Sequence, residues 1–180
     1  VLRGIGEVER RLGRYKQSLS NFEQSLALFK KLREQRGQAE VLVSLGSLEE
    51  ILSHYNHAQE LYKDALEIVR TTGDQWNEAR ILGGLGHLQR AFGHFSQSET
   101  LYQQAQALFQ QVGDDIGVGN IWIGLGHLEL LRGNHQSSRN YFNKAMTSFK
   151  KMGNPRGESY SLLGLGKLDY YINNYHTSQI

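Results

Sequence analysis

The residues with most capacity for chemistry in this 180-residue chain are its seven histidines and eighteen carboxylates. His54 and His57 lie around a turn, with Glu50 and Glu60 nearby, but no HExxH pair exists to present two imidazoles and a general base on one helix face. His87 and His127 stand forty residues apart. On equivalent stacked helices they would be separated by about 10 Å, too far to share a zinc ion whose ligands sit about 2.0–2.1 Å away. Glu49 with Glu50, and Asp114 with Asp115, are neighbours that diverge on a helix or sit in a turn, so neither makes an acid–base pair. No serine lies in a Gly-x-Ser-x-Gly setting. Cysteine is absent, which excludes disulfides and thiolate-ligated metal. Gly4-Ile5-Gly6 and Gly84-Leu85-Gly86 fall inside helical patterns, not at a strand-to-helix turn where glycines cradle phosphate. Trp76 and Trp122 read as core or groove residues. The expectation is a chain with no catalytic residue, no metal and no cofactor: a protein that is not an enzyme.

What must then be explained is the arrangement that carries these side chains, and a period decides it. Written in rows of forty, the sequence aligns with itself without a gap. Gly6, Gly46, Gly86, Gly126 and Gly166 form one column. Each follows an apolar residue (Ile5, Leu45, Leu85, Leu125, Leu165) and precedes another by two (Val8, Leu48, Leu88, Leu128, Leu168). Later in the rows comes an aromatic in a turn at Tyr15, Tyr55, Phe95 and Tyr175, with His135 the exception. Small residues then precede aromatics by four: Ser18 and Phe22, Ala58 and Tyr62, Ser98 and Tyr102, Ser138 and Phe142. A further small column holds Ser25, Ala65, Ala105 and Ala145.

Within a row the apolar spacing is three to four, the mark of an amphipathic helix. Gly13-Arg14, Gly93-His94 and Gly133-Asn134 break the rows in half. Gly73-Asp74, Gly113-Asp114 and Gly153-Asn154 end them, with glycine as a left-handed C-cap and Asp or Asn opening the next helix. The pattern predicts a helix A from about the thirty-sixth place of one row to the twelfth of the next, and a helix B over places 15 to 32. A mid-helix glycine costs about 1 kcal/mol relative to alanine, so five in register require close approach by the aromatic of helix B.

The Leu-Gly pair, the Gly-x-Tyr/Phe turn, the small-x-x-x-aromatic step and the later alanine resemble the tetratricopeptide repeat (TPR) over the whole chain. The period of 40 instead of 34 is similar to TPR arrays of kinesin light chains, spindle-orientation adaptors and bacterial signalling ATPases or transcriptional regulators. One departure is the family's tyrosine three places after the glycine, which here is Glu9, Glu49, Gln89, Glu129 and Asp169. The resemblance implies an all-α fold, a right-handed α-solenoid of antiparallel helix pairs. The expected organisation is a single array over 1–180, with repeats 1–40, 41–80, 81–120 and 121–160 and a partial repeat 161–180, cut from a longer protein. It further implies a scaffold that binds a peptide or partner helix in a concave groove lined by helix A. The alternative is a regulatory or sensory segment of a larger signalling ATPase or transcriptional regulator, its groove filled in cis or by an effector.

By register the groove columns vary from row to row while the packing columns hold. The first is Arg3, Val43, Gly83, Ile123 and Leu163; the second is Glu7, Ser47, His87, His127 and Lys167. Then come Arg10, Glu50, Arg90, Leu130 and Tyr170, followed by Arg11, Ile51, Ala91, Leu131 and Tyr171. The candidate partner-binding residues are His87, Arg90, Ile123, His127, Leu130, Leu131, Leu163, Lys167, Tyr170 and Tyr171, an apolar stretch of a kind that often marks a partner surface.

Charge is segregated along the chain. Residues 1–40 hold nine Lys/Arg against five Asp/Glu, net +4; residues 41–80 hold three against seven, net −4. Residues 81–120 hold one against three, net −2, and 121–160 hold six against two, net +4. Opposed patches orient a protein partner and speed its approach, whereas an acidic centre breaks the continuous basic track nucleic acid needs. With no apolar run near the roughly 20 residues that span a bilayer and no leader at Val1, a cytoplasmic protein without membrane or nucleic-acid partners is expected. Uncapped ends suggest self-association.

Overall fold

The computed structural model describes residues 1–177, with side chains through Asn173. Nine helices and no strand occur among the described residues. They fall into two compact units, Val1–Leu88 and Gln89–Ile180. The first holds α1 (Leu2–Arg11), α2 (Tyr15–Lys31), α3 (Gln35–Ile51), α4 (Tyr55–Thr72) and α5 (Gln75–Ala91) up to Leu88. The second takes the end of α5, then α6 (Phe95–Gln111), α7 (Asp115–Leu131), α8 (His135–Lys151) and α9 (Pro155–Thr177). Odd-numbered helices are the predicted helix A and even-numbered ones helix B, with most ends within about a residue of the expected places.

The turns are set by backbone chirality. Gly13, Gly73, Gly93, Gly113, Gly133 and Gly153 all have φ between 63° and 80°, the left-handed region that glycine enters without steric cost. Two equivalent positions lack glycine: Arg33 (φ 54°) and Ser53 (φ 63°) adopt the same conformation with a Cβ in place. The next helix A is then capped. Asp74, Asp114 and Asn154 accept from the backbone N–H three residues on, at 3.1, 2.8 and 3.0 Å. Glu34 takes that place in the second row, accepting from Gly37 N at 2.6 Å.

The glycine columns are seats for rings. A Cβ built on Gly6, Gly46 or Gly126 would fall 2.7 Å from the ring of Phe22, Tyr62 or Phe142 in the same repeat. A second column two places earlier closes on the ring from the following repeat: Gly84 on Tyr62, Gly124 on Tyr102 and Gly164 on Phe142. Tyr62 and Phe142 are therefore each pinched between glycines of two A helices, and Phe22 and Phe142 are wholly buried. A third seat pairs Phe29 with Gly37, Phe109 with Gly117 and Phe149 with Gly157. In the second row the ring is replaced by the smaller Val69, and the glycine by Asn77. Volume is held nearly constant across the pair, as close packing demands. Ser18 and Ser138, in the small column, donate to the carbonyls of Gly6 and Gly126 at 2.8 Å and so are buried without loss.

One expected turn does not form. The break predicted before Tyr175 is absent, since α9 continues through Thr177. The fifth row has Asn173 where other rows have Gly13, Ser53, Gly93 and Gly133.

Candidate partner-binding surface

Four of the five residues that depart from the family's tyrosine column serve the turn between helices A and B, and the fifth, Asp169, pairs with Arg139. Arg14 donates to Glu9 at 3.4 Å, His54 Nδ1 meets Glu49 at 2.7 Å, His94 Nδ1 meets Gln89 at 2.8 Å, and Asn134 donates to Glu129 at 2.8 Å. In every case the backbone N–H of the same turn residue also donates to the carbonyl of its partner, at 2.8–2.9 Å. Glu49, Gln89 and Glu129 are buried by this clamp. His57 lies 3.6 Å from Glu49, so the carboxylate that both turn histidines meet is Glu49. Among the described residues no group of three or more His, Cys, Asp or Glu is placed to hold a metal ion.

In the first unit the helix A columns build a hydrogen-bonded polar network. Glu50 of α3 accepts from the Tyr62 hydroxyl of α4 at 2.8 Å, and its other oxygen lies 2.8 Å from His87 Nδ1 of α5. Ser47 closes on the same hydroxyl at 3.1 Å. Burial, reinforced by the Glu50 charge, pushes the Tyr62 phenol well above its ordinary value, so it remains a donor. Arg3 pairs with Glu40 at 3.0 Å. Burial opposes ionisation of Glu7, but hydrogen bonds and charge from Arg10 and Arg11 outweigh it and hold the carboxyl below its ordinary value. Arg80 stacks over Trp76 at 4.8 Å and donates to Asn77 at 3.2 Å. Burial lowers its pKa despite the favourable charge of Glu7. Arg80 was not among the sequence candidates; its column, Glu40, Arg80, Asn120 and Tyr160, lies three places before the first one chosen, and that helical spacing was the available signal.

The second unit is different in character. Leu131, Leu163, Tyr170 and Tyr171 are 49, 54, 66 and 51 % exposed, although they are large and apolar. Tyr170 and Tyr171 meet edge to face at 6.2 Å, and Lys167 is exposed beside them. Ile123 is partly buried. His127 sets its ring edge against Phe142 at 5.0 Å and so belongs partly to the packing. Leu130 is only 8 % exposed and lies in the packed layer, one helical position round from exposed Leu131. Arg90 has a buried Nε with no hydrogen-bond partner. The sequence places all of these on one groove; the structure gives His87 to the network of the first unit and the remainder to the second.

Helices paired through three-residue turns, with rings seated on glycines at a forty-residue interval, define an all-α repeat solenoid, a class whose members commonly serve as non-catalytic interaction or regulatory modules. The tetratricopeptide repeat family profile matches residues 1–71, 58–111 and 77–151. The chain belongs to the tetratricopeptide repeat family. No curated protein matches it significantly.

Solved structures share the fold at low identity. BtubC (BKLC) from P. vanneervenii is 16% identical with a TM-score of 0.68, over 97% of this chain and 81% of that one. A Rap protein complexed with competence and sporulation factor is 16% identical with a TM-score of 0.79, over 89% of this chain and 45% of that one. A Signal Transduction ATPase with Numerous Domains (STAND) protein with a tetratricopeptide repeat sensor, from Pyrococcus horikoshii, is 16% identical with a TM-score of 0.77. That match covers 97% of this chain and 27% of the other. The chain thus spans less than half of the Rap and STAND proteins. No helix among the described residues is long and apolar enough to cross a membrane.

Proposed function

We propose that this chain is a protein-interaction scaffold, and that the helix A face of its second unit binds a peptide or helix of a partner. One observation carries the reading. Leu131, Leu163, Tyr170 and Tyr171 are half exposed or more, while the packing residues of the same two helices, Leu125, Leu128 and Leu168, are at most 3 % exposed. Leaving four large apolar side chains in water forgoes roughly 1–2 kcal/mol apiece, at about 25 cal/mol per Å², which an apolar partner face would recover. Ile123, His127 and Lys167 complete the surface, with Lys167 selecting against a cationic partner and Leu130 supporting Leu131 from below. Arg90 extends the reading to the polar end of the columns within the second unit. Binding of this kind requires no catalytic group and no cofactor, and the chain is read as a binding protein, not an enzyme.

The test is capture of partners from the native source on immobilised protein, followed by competition with variants. Leu131→Glu and Tyr170→Ala abolish capture and leave the far-UV circular dichroism and melting temperature almost unchanged. If either variant unfolds the protein, those side chains are core and the reading fails.

A second reading is favoured by the similarity to a STAND tetratricopeptide repeat sensor and to a Rap protein in complex with a factor. In it the chain is a regulatory segment of a larger signalling ATPase or transcriptional regulator, with the same face occupied in cis or by an effector. A nucleotide-binding motif in sequence flanking this chain would favour it over the scaffold.

A further inference from the structure

Helix α8 carries Arg139, Lys144, Lys150 and Lys151 and not one acidic residue. Arg139 is neutralised by Asp169. Among the described residues no carboxylate pairs with Lys144, Lys150 or Lys151. Lys144 instead stands over the Tyr141 ring at 5.7 Å. Asn140, Lys144, Thr147 and Lys151 follow one another at four, three and four residues, so they form a single exposed stripe along the helix. Beside it lies an open groove of about 550 Å³, lined by that stripe together with Asn143, Ser148 and the partly buried indole of Trp122 from α7. The two ammonium groups spring from positions about 10.5 Å apart along the axis, at 1.5 Å per residue. The groove also offers two amides, two hydroxyls and one aromatic surface.

We propose that this groove is a second docking site, independent of the helix A face, for an acidic peptide segment. The segment presents two carboxylates about 10 Å apart, matched to Lys144 and Lys151, and between them an apolar or aromatic side chain that covers Trp122. Three observations choose this occupant. The charge is of one sign and unneutralised, which draws an anionic partner and raises its association rate. The groove is open along its length, whereas a small ligand needs a concavity that encloses most of its surface. The third compares the same stripe in another repeat. In α4 it reads Glu60, Asp64, Glu67 and Thr71, all exposed, so a second copy of this chain also offers carboxylates. Yet α4 interleaves them with exposed Lys63 and Arg70 and has no exposed apolar side chain to lie on Trp122. A separate acidic peptide fits the groove better.

The probe is a fluorescein-labelled dodecapeptide of alternating Glu and Ser with one central Phe, followed by fluorescence anisotropy on the intact chain over a range of ionic strength. Saturable binding that weakens with salt is expected. Lys144→Glu with Lys151→Glu, both exposed and so tolerated by the fold, should weaken it by about tenfold or more. Replacing the central Phe by Ser should weaken it too, while Leu131→Glu should leave it unchanged. The proposal is overturned by any of four results: no saturation at millimolar protein, equal affinity in the double lysine variant, equal affinity for the peptide without Phe, or equal competition by an oligonucleotide of the same charge. Concentration-dependent self-association that the lysine variant abolishes would also overturn it, assigning the groove to a second copy.

Discussion

Replacing Gly126 by alanine sets two effects of known sign against each other. In a helix interior the change is favourable by about 1 kcal/mol, since glycine carries the larger entropy cost. Here the new Cβ would lie 2.7 and 2.8 Å from ring atoms of Phe142, about 1 Å inside ordinary carbon–carbon contact. The ring has nowhere to go. It is wholly buried, and a Cβ at Gly164, on its other side, would already be 2.4 Å away. Overpacking of this kind costs about 1–3 kcal/mol, so Gly126→Ala should destabilise by up to about 2 kcal/mol net. Gly166→Ala is the internal control. It lies in the same column, yet nothing among the described residues comes within 4 Å of its Cβ position, so the propensity gain of up to about 1 kcal/mol stands alone. Urea unfolding followed by circular dichroism gives both values. Combining Gly126→Ala with Phe142→Leu should cost less than the two changes added, because the smaller side chain removes the clash. If Gly126→Ala and Gly166→Ala shift stability in the same direction, the account of the glycine column as a ring seat is wrong.

Arg33→Gly and Ser53→Gly should each stabilise the protein by up to about 1 kcal/mol, since a Cβ in the left-handed region costs about 1–2 kcal/mol and glycine gives part of that back to unfolded-chain entropy. Thermal melts of the single variants check this, and a loss of stability would refute it. Asp74 supplies a pH dependence. Burial opposes its ionisation, but hydrogen bonds from Asn77 and the charges of Arg36 and Arg80 prevail and hold its pKa below the ordinary value. Its contribution is therefore complete above the unfolded-state pKa of about 3.9 and is lost as pH falls through the lower folded value. Asp74→Asn should be less stable than the wild type near neutrality, with the difference shrinking in acid; a constant difference across that range would show that the charge does not matter.

The sequence alone determined the period, the helix boundaries and most of the caps. Those features depend on interactions within about four residues, or on φ angles that glycine announces, so each row states them again. The column at Gly46, Gly86 and Gly126 was readable as a packing device for the same reason. What only the tertiary structure decided involves neighbours beyond that short range. Gly84, Gly124 and Gly164 became walls for the rings of Tyr62, Tyr102 and Phe142, and each of these rings belongs to the preceding repeat. Glu49 and Glu129 turned out to clamp a turn, since the distance from an A helix to the residue opening its B helix is not encoded in helical periodicity. Leu130 and Leu131 look equally fit for a groove in one dimension. They differ by about 100° around the helix, and packing against the adjacent helices is what buries the first and leaves the second in water.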